Sequence, residues 1–185
     1  MTRTVRILAF LSIMMVLAPP LAAQARRPTW RDRGENSDAI APAIRVVHDV
    51  RYGEDTDQRF DVYIPPRTTN APVIFMVHGG GWRRGDKEME SVVINKVNRW
   101  VPQGFIVISA NYRMLPEATP LEQAEDIARA LGVAQESAGK WGADRRRFIV
   151  MGHSAGGHLV ALTASTRSLL DRFRVSRPIG IVLLD

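Results

Sequence analysis

The 185-residue chain contains no cysteine, which excludes disulfides, thiolate zinc sites and cysteine nucleophiles from the outset. An oxidising compartment is not excluded, because exported proteins also manage without disulfides. No apolar run reaches the ~20 residues that a membrane-spanning helix needs. The longest, Ile7 to Leu17, is followed closely by Pro19-Pro20. No grouping of His, Asp and Glu has metal-ligand spacing, and no glycine loop carries the Gly-Lys-Ser/Thr of a phosphate cradle or a dinucleotide fingerprint. Neither a metal nor an organic cofactor is therefore expected. Internal repeats and low-complexity tracts are also lacking.

The short apolar run at the start has its own explanation. Arg3 and Arg6 precede it and Ala23-Gln24-Ala25 follows it, the charged, hydrophobic and cleavage regions of a secretory signal. Export with cleavage near Ala25 is expected, leaving a periplasmic or secreted protein with no membrane attachment; a lipid anchor would need a cysteine. The formal charge is +6, and removing the two signal arginines leaves +4. The remaining arginines cluster at Arg26-Arg27, Arg83-Arg84 and Arg145-Arg146-Arg147. They form no continuous basic stripe with groove-reading residues, so they read as solvated faces and no nucleic-acid partner is expected. Oligomeric state is not readable.

Residues 26–43 are polar and arginine-rich and read as a tether. From residue 44 to 185 the pattern alternates. "IRVVHDVRY" (44–52) and "RFDVYIP" (59–65), separated by "GEDTD", read as a hairpin. "APVIFMVHGGG" and "FIVISANY" are continuous apolar runs, as in strands buried on both faces. "MESVVINKVNRWVPQG" has helical spacing with Gly104 as its stop. Thr119, Pro120 and Glu122 form a capping box that opens a second helix, with Ala124, Ile127, Ala128 and Leu131 as its apolar stripe and Gly139 or Gly142 as its end. "RFIVM" is a strand, 155 to about 165 a helix, and "IGIVLLD" a last strand. Strands alternating with such helices predict an α/β fold: a mainly parallel sheet, helices on both faces, and an N-terminal antiparallel hairpin.

Two loops carry chemistry. Gly152-His153-Ser154-Ala155-Gly156 fits G-x-S-x-G between a strand and a helix, the setting of a nucleophile elbow. The sharp turn that lifts the Ser154 hydroxyl above the sheet forces backbone atoms together two residues to either side, where Gly152 and Gly156 stand. In "VHGGGWRRGD" (77–86), consecutive glycines let the N–H groups of Gly80 and Gly81 point to one spot. With the N–H of Ala155 they are expected to hold the oxyanion of a tetrahedral intermediate. His78 reads as a loop brace rather than a base.

"HGGGW" (78–82), "NYRMLP" (111–116) and "GHSAGGHLVAL" (152–162), in this order, resemble the α/β-hydrolase esterases: the hormone-sensitive-lipase-like, feruloyl- and acetyl-esterase-like and kynurenine-formamidase-like groups. The resemblance covers about residues 44–185. It implies Ser154 as nucleophile, Gly80, Gly81 and Ala155 as oxyanion donors, and a small acyl ester as substrate. An arylformamidase-like amide hydrolase is an alternative by motif. In that family the triad order is serine, acid, histidine. Only His158 follows Ser154, one turn into the supporting helix, where it reads as a packing residue. Asp171 falls in a polar helix-to-strand connection, and Asp185 closes the last strand. The expectation is that the last strands, with the triad acid and histidine, are missing from these 185 residues. An inactive hydrolase fold serving as a binding or interaction module is the other alternative.

Overall fold

The computed structural model describes residues 40–185. The expected signal, 1–25, and most of the expected tether lie outside the described residues. Among the described residues one sheet is formed by β1 (Arg45–Arg51), β2 (Arg59–Ile64), β3 (Ala71–Val77), β4 (Ile106–Ala110), β5 (Ala143–His153) and β6 (Gly180–Leu184), in spatial order β1-β2-β4-β3-β5-β6. Strands β4, β3, β5 and β6 run parallel. β1 pairs antiparallel with β2, as the hairpin reading requires, and β2 is also antiparallel to β4.

The continuous apolar run of β3 is explained by its central place. Val73, Phe75 and Val77 join the core on one face, Ile74 and Met76 the core on the other. Full burial of such side chains contributes about 1.5–3 kcal/mol each. Helix α1 (Glu90–Trp100) brings Val93 and Val97 to the Ile74 face, while α2 (Pro120–Ser137) and α3 (Ala155–Ser165) cover the other with Ala124, Ile127, Leu131 and Leu159. The capping box at Thr119 is formed, with Pro120 at the first helical position. Gly104 (φ 88°) and Gly142 (φ 77°) take the left-handed conformation that closes the 3-10 turns after α1 and α2.

Two sequence expectations change. β5 begins at Ala143, earlier than expected, because an irregularity lets Ala71 pair with Ala143 while Val73 pairs with Phe148. Arg145, Arg146 and Arg147 are then exposed within the strand. Asp171 lies not in an irregular connection but in a helix, α4 (Arg167–Arg172), which buries Leu169 and Leu170. Its carboxylate stands 3.6 Å from Arg167, one turn earlier, and both side chains are exposed. Six residues are too few to display a helical period.

Candidate active site

The strand ends set the site. Val77 of β3 is in register with Gly152 of β5, and His153 of β5 with Leu184 of β6, so the three strands finish together and their loops meet. Ser154 follows β5 directly and precedes α3, with φ 51° and ψ −121°. Its side chain is exposed, and its N–H donates to the Leu184 carbonyl at 2.8 Å. A positive φ on a non-glycine residue is strained, at about 1–3 kcal/mol.

The flanking glycines meet the expected steric demand. A Cβ at Gly152 would strike the Gly156 carbonyl oxygen, and one at Gly156 would strike the carbonyls of Val77 and His78. The first contact is internal to the turn; the second seats α3 against the end of β3.

The glycine loop packs on the serine turn through Gly79. A Cβ there would lie 2.7 Å from the His153 carbonyl and 3.1 Å from the Ser154 Cβ. Gly80 (φ 128°) and Gly81 (φ 63°) follow. The Gly80 carbonyl accepts from the Arg84 N–H at 3.2 Å, which folds the loop back on itself. Ala155 is buried as the first residue of α3; N–H groups in a helix's first turn have no intrahelical acceptor, and the helix dipole favours negative charge there. The structure thus brings the HGGG loop, Ser154 and the start of α3 into one patch.

His78 braces this patch from below. It is fully buried, stacks on Tyr112 with ring centroids 4.5 Å apart, and holds its Nδ1 2.8 Å from the Gly79 carbonyl. Burial pushes its pKa below the ordinary histidine value. Tyr112 also donates its hydroxyl to the His78 carbonyl at 3.0 Å. His158 packs, as its place on the helix side suggests, edge-on against Trp82 at 5.5 Å, and it does so at an exposed position. With Ser154, Ala161, Leu183 and Asp185 it lines an open concavity of about 220 Å³.

Sequence reasoning passed over the residues that fasten the loop. Asn111 takes the Lys87 N–H on its Oδ1 and donates from Nδ2 to Asp86 at 2.9 Å. The Trp82 carbonyl accepts from the Leu115 N–H at 2.8 Å and from Gln123 Nε2 at 3.1 Å. Arg113 pairs with the buried Asp126 through two 2.8 Å bonds, and Gln58 donates to the same carboxylate at 2.8 Å. The signal was the "NYR" of 111–113, read only as a family mark; each of its three residues has a separate bracing task.

Folding also gathers His48, Asp61 and Glu88, whose ligand-type atoms lie within 4.8 Å of one another. No spacing in the sequence announced this cluster. Its cation position is held by Lys87, whose ammonium is 2.9 Å from Asp61 and 2.7 Å from Glu88. Among the described residues, no helix is long and apolar enough to cross a membrane.

Known proteins resemble this chain in sequence and fold. The chain is 35% identical over 128 residues to the esterase LipC of Mycobacterium tuberculosis, covering 66% of this chain and 31% of that one. Esterase B from Lactobacillus rhamnosis superposes with a TM-score of 0.63 at 28% identity, covering 79% of this chain and 49% of that one. A bacterial heroin esterase superposes at 0.61 with 30% identity, covering 76% and 43%. The chain therefore spans about a third of LipC and a little under half of these two solved structures. The BD-FAE family model matches residues 60–174, more than half of the chain and all of the loops just described, and the chain belongs to this family of the α/β-hydrolase superfamily.

Proposed function

We propose that the chain carries the nucleophile and oxyanion-binding half of a serine carboxylic-ester hydrolase acting on small acyl esters. The observation that carries this reading is Ser154: exposed, held at φ 51° between β5 and α3, and in contact with the HGGG loop. The Ser154 Oγ attacks the ester carbonyl carbon. The oxygen that becomes negative accepts hydrogen bonds from the N–H groups of Gly80, Gly81 and Ala155. The base takes the serine proton and passes it to the departing alcohol oxygen as collapse breaks that bond, leaving an acyl-serine, which water then hydrolyses to acid and free serine.

A serine hydroxyl needs a base to act rapidly at neutral pH. His158 is four residues from Ser154 on the same helix, turned toward Trp82, and no hydrogen bond links it to the hydroxyl. In this reading the histidine and acid come from sequence outside these 185 residues, in the family's order. The esterase names of the relatives support the reaction class. The pattern of residues 1–25 supports export, and N-terminal sequencing of exported protein is expected to begin at Arg26.

A fluorophosphonate probe with mass-spectrometric mapping tests the reading. The 185-residue chain is expected to label slowly, and a form extended by the family's last strands rapidly, with the adduct on Ser154 and none in Ser154→Ala. Rapid labelling of the extended form at another residue, or labelling indifferent to Ser154→Ala, would refute the nucleophile assignment. Failure of the extended form to label at all would favour a non-catalytic binding module.

A further inference from the structure

The loop that carries Gly80 and Gly81 has little to hold it in shape by itself. Gly80, Gly81, Trp82 and Gly85 all have positive φ, and four glycines between 79 and 85 give the unfolded segment great freedom. Its far end is fixed at Lys87, whose surroundings serve no step of the proposed chemistry. Lys87 is 4% exposed and Asp61, its partner in the middle of β2, is fully buried. The ammonium lies 2.9 Å from Asp61, 2.7 Å from Glu88 and 3.3 Å from Asp49.

The partner strand is bent to fit this charge. β1 is bulged between Val47 and Val50, and Asp49 within the bulge has φ 55°. The bulge turns the Asp49 N–H onto Asp61 at 2.8 Å and brings His48 Nδ1 to the same carboxylate at 3.1 Å. Bulges re-aim side chains at the cost of a ladder bond. Here two successive residues are aimed at one carboxylate, which faces the loop's lysine. Removing water from such a pair is unfavourable unless geometry and further hydrogen bonds offset it; this pair has both.

We propose that the Lys87–Asp61 ion pair is a positioning device that clamps the HGGG loop, so that the Gly80 and Gly81 N–H groups keep their place beside Ser154, where the oxyanion would form. Lys87 is in this sense a positioning residue: it touches no substrate and acts through the five residues between it and Gly81. The proposal rests on the reading of Ser154 and its neighbours given above.

Removing one partner leaves a buried lone charge and can prevent folding, so the test uses the charge-free pair Asp61→Asn/Lys87→Met and the charge-conserving Lys87→Arg, in the whole chain. Hydrogen exchange followed by mass spectrometry reports the loop directly. The double variant is expected to exchange at least tenfold faster over 79–86, with peptides from β3, β4 and α2 and the thermal midpoint nearly unchanged; Lys87→Arg is expected to retain most of the protection. Binding of phenylboronic acid, in which the serine oxygen adds to boron to give a tetrahedral anion and the hydroxyl proton is released to solvent, reports the aim of the amides. Its Kd is expected to rise about tenfold in the double variant and less than threefold in Lys87→Arg. Unchanged exchange over 79–86, or acceleration spread evenly over the chain, overturns the clamp. So does a double variant that binds the boronic acid as well as the parent chain. Ser154→Ala separates the two ideas: boronic acid binding that survives this substitution sinks the functional reading and leaves the exchange result to decide the clamp.

Discussion

Ser154 sits where a side chain is least comfortable, and the cost is measurable. Glycine tolerates φ 51° whereas serine and alanine do not. Ser154→Gly is expected to stabilise the chain by about 1 kcal/mol in urea denaturation, relief of strain outweighing the added freedom of the unfolded state. Ser154→Ala keeps the Cβ and is expected to leave stability nearly unchanged; equal midpoints for the two variants would show that the turn is unstrained. The neighbouring glycines give the opposite sign. At Gly156 the added methyl meets backbone carbonyls of another strand, which cannot rotate away as a flexible side chain would. Gly156→Ala is expected to cost about 3 kcal/mol, the upper end for overpacking, and a loss below about 1 kcal/mol would contradict the close approach of α3 and β3. These demands were legible in the sequence, because G-x-S-x-G states its own sterics. The tasks of Asn111, Lys87 and Asp61 were not, since each acts on a partner 24 or more residues away.

Elements announce themselves as far as their own residues hold them. Helix α2 carries its start signal in four residues, and the structure forms it as written: the Thr119 N–H donates to Glu122 at 2.8 Å and the Thr119 hydroxyl donates to the same carboxylate at 2.7 Å. Thr119→Ala is expected to destabilise by about 1 kcal/mol at neutral pH. The bonds from the Thr119 backbone and hydroxyl hold the Glu122 carboxyl below its ordinary pKa. A depressed folded-state pKa gives stability that is present above the unfolded value and lost as pH falls through the folded one. The penalty of Glu122→Ala is therefore expected to be larger at pH 7 than at pH 3, by chemical denaturation; a penalty independent of pH would mean that the box does not depend on the carboxylate charge. The stripe of Ala124, Ile127, Ala128 and Leu131 is buried as its spacing predicted. Helix α4 and the early start of β5 went unread because both depend on tertiary contacts, the one on the burial of Leu169 and Leu170, the other on a pairing irregularity opposite Ala71.

At the largest scale, among the described residues, the sheet has one guarded edge and one bare one. β1 at the first edge is bulged and bears the charges of Arg45, Asp49 and Arg51, the features that discourage edge-to-edge pairing. β6 at the other edge has neither: Ile181 is 49% and Leu183 54% exposed, with Ile179 at 60% just before them. The 185-residue chain is expected to self-associate as its concentration rises, and Ile181→Lys/Leu183→Lys to suppress this in light scattering without lowering the thermal midpoint. A chain that stays monomeric at high concentration would show that β6 is not a pairing edge. The alternation of strands and helices was enough to predict this sheet and its hairpin; that the ends of β3, β5 and β6 fall at one level follows from register, which no local pattern states. The proposed convergence of Ser154 with the Gly80, Gly81 and Ala155 amides depends on that register. Titrating phenylboronic acid into ¹⁵N-labelled chain tests it most directly: the largest shifts are expected on those three amides and none in Ser154→Ala, whereas shifts centred elsewhere, or unchanged by the substitution, would rule the convergence out.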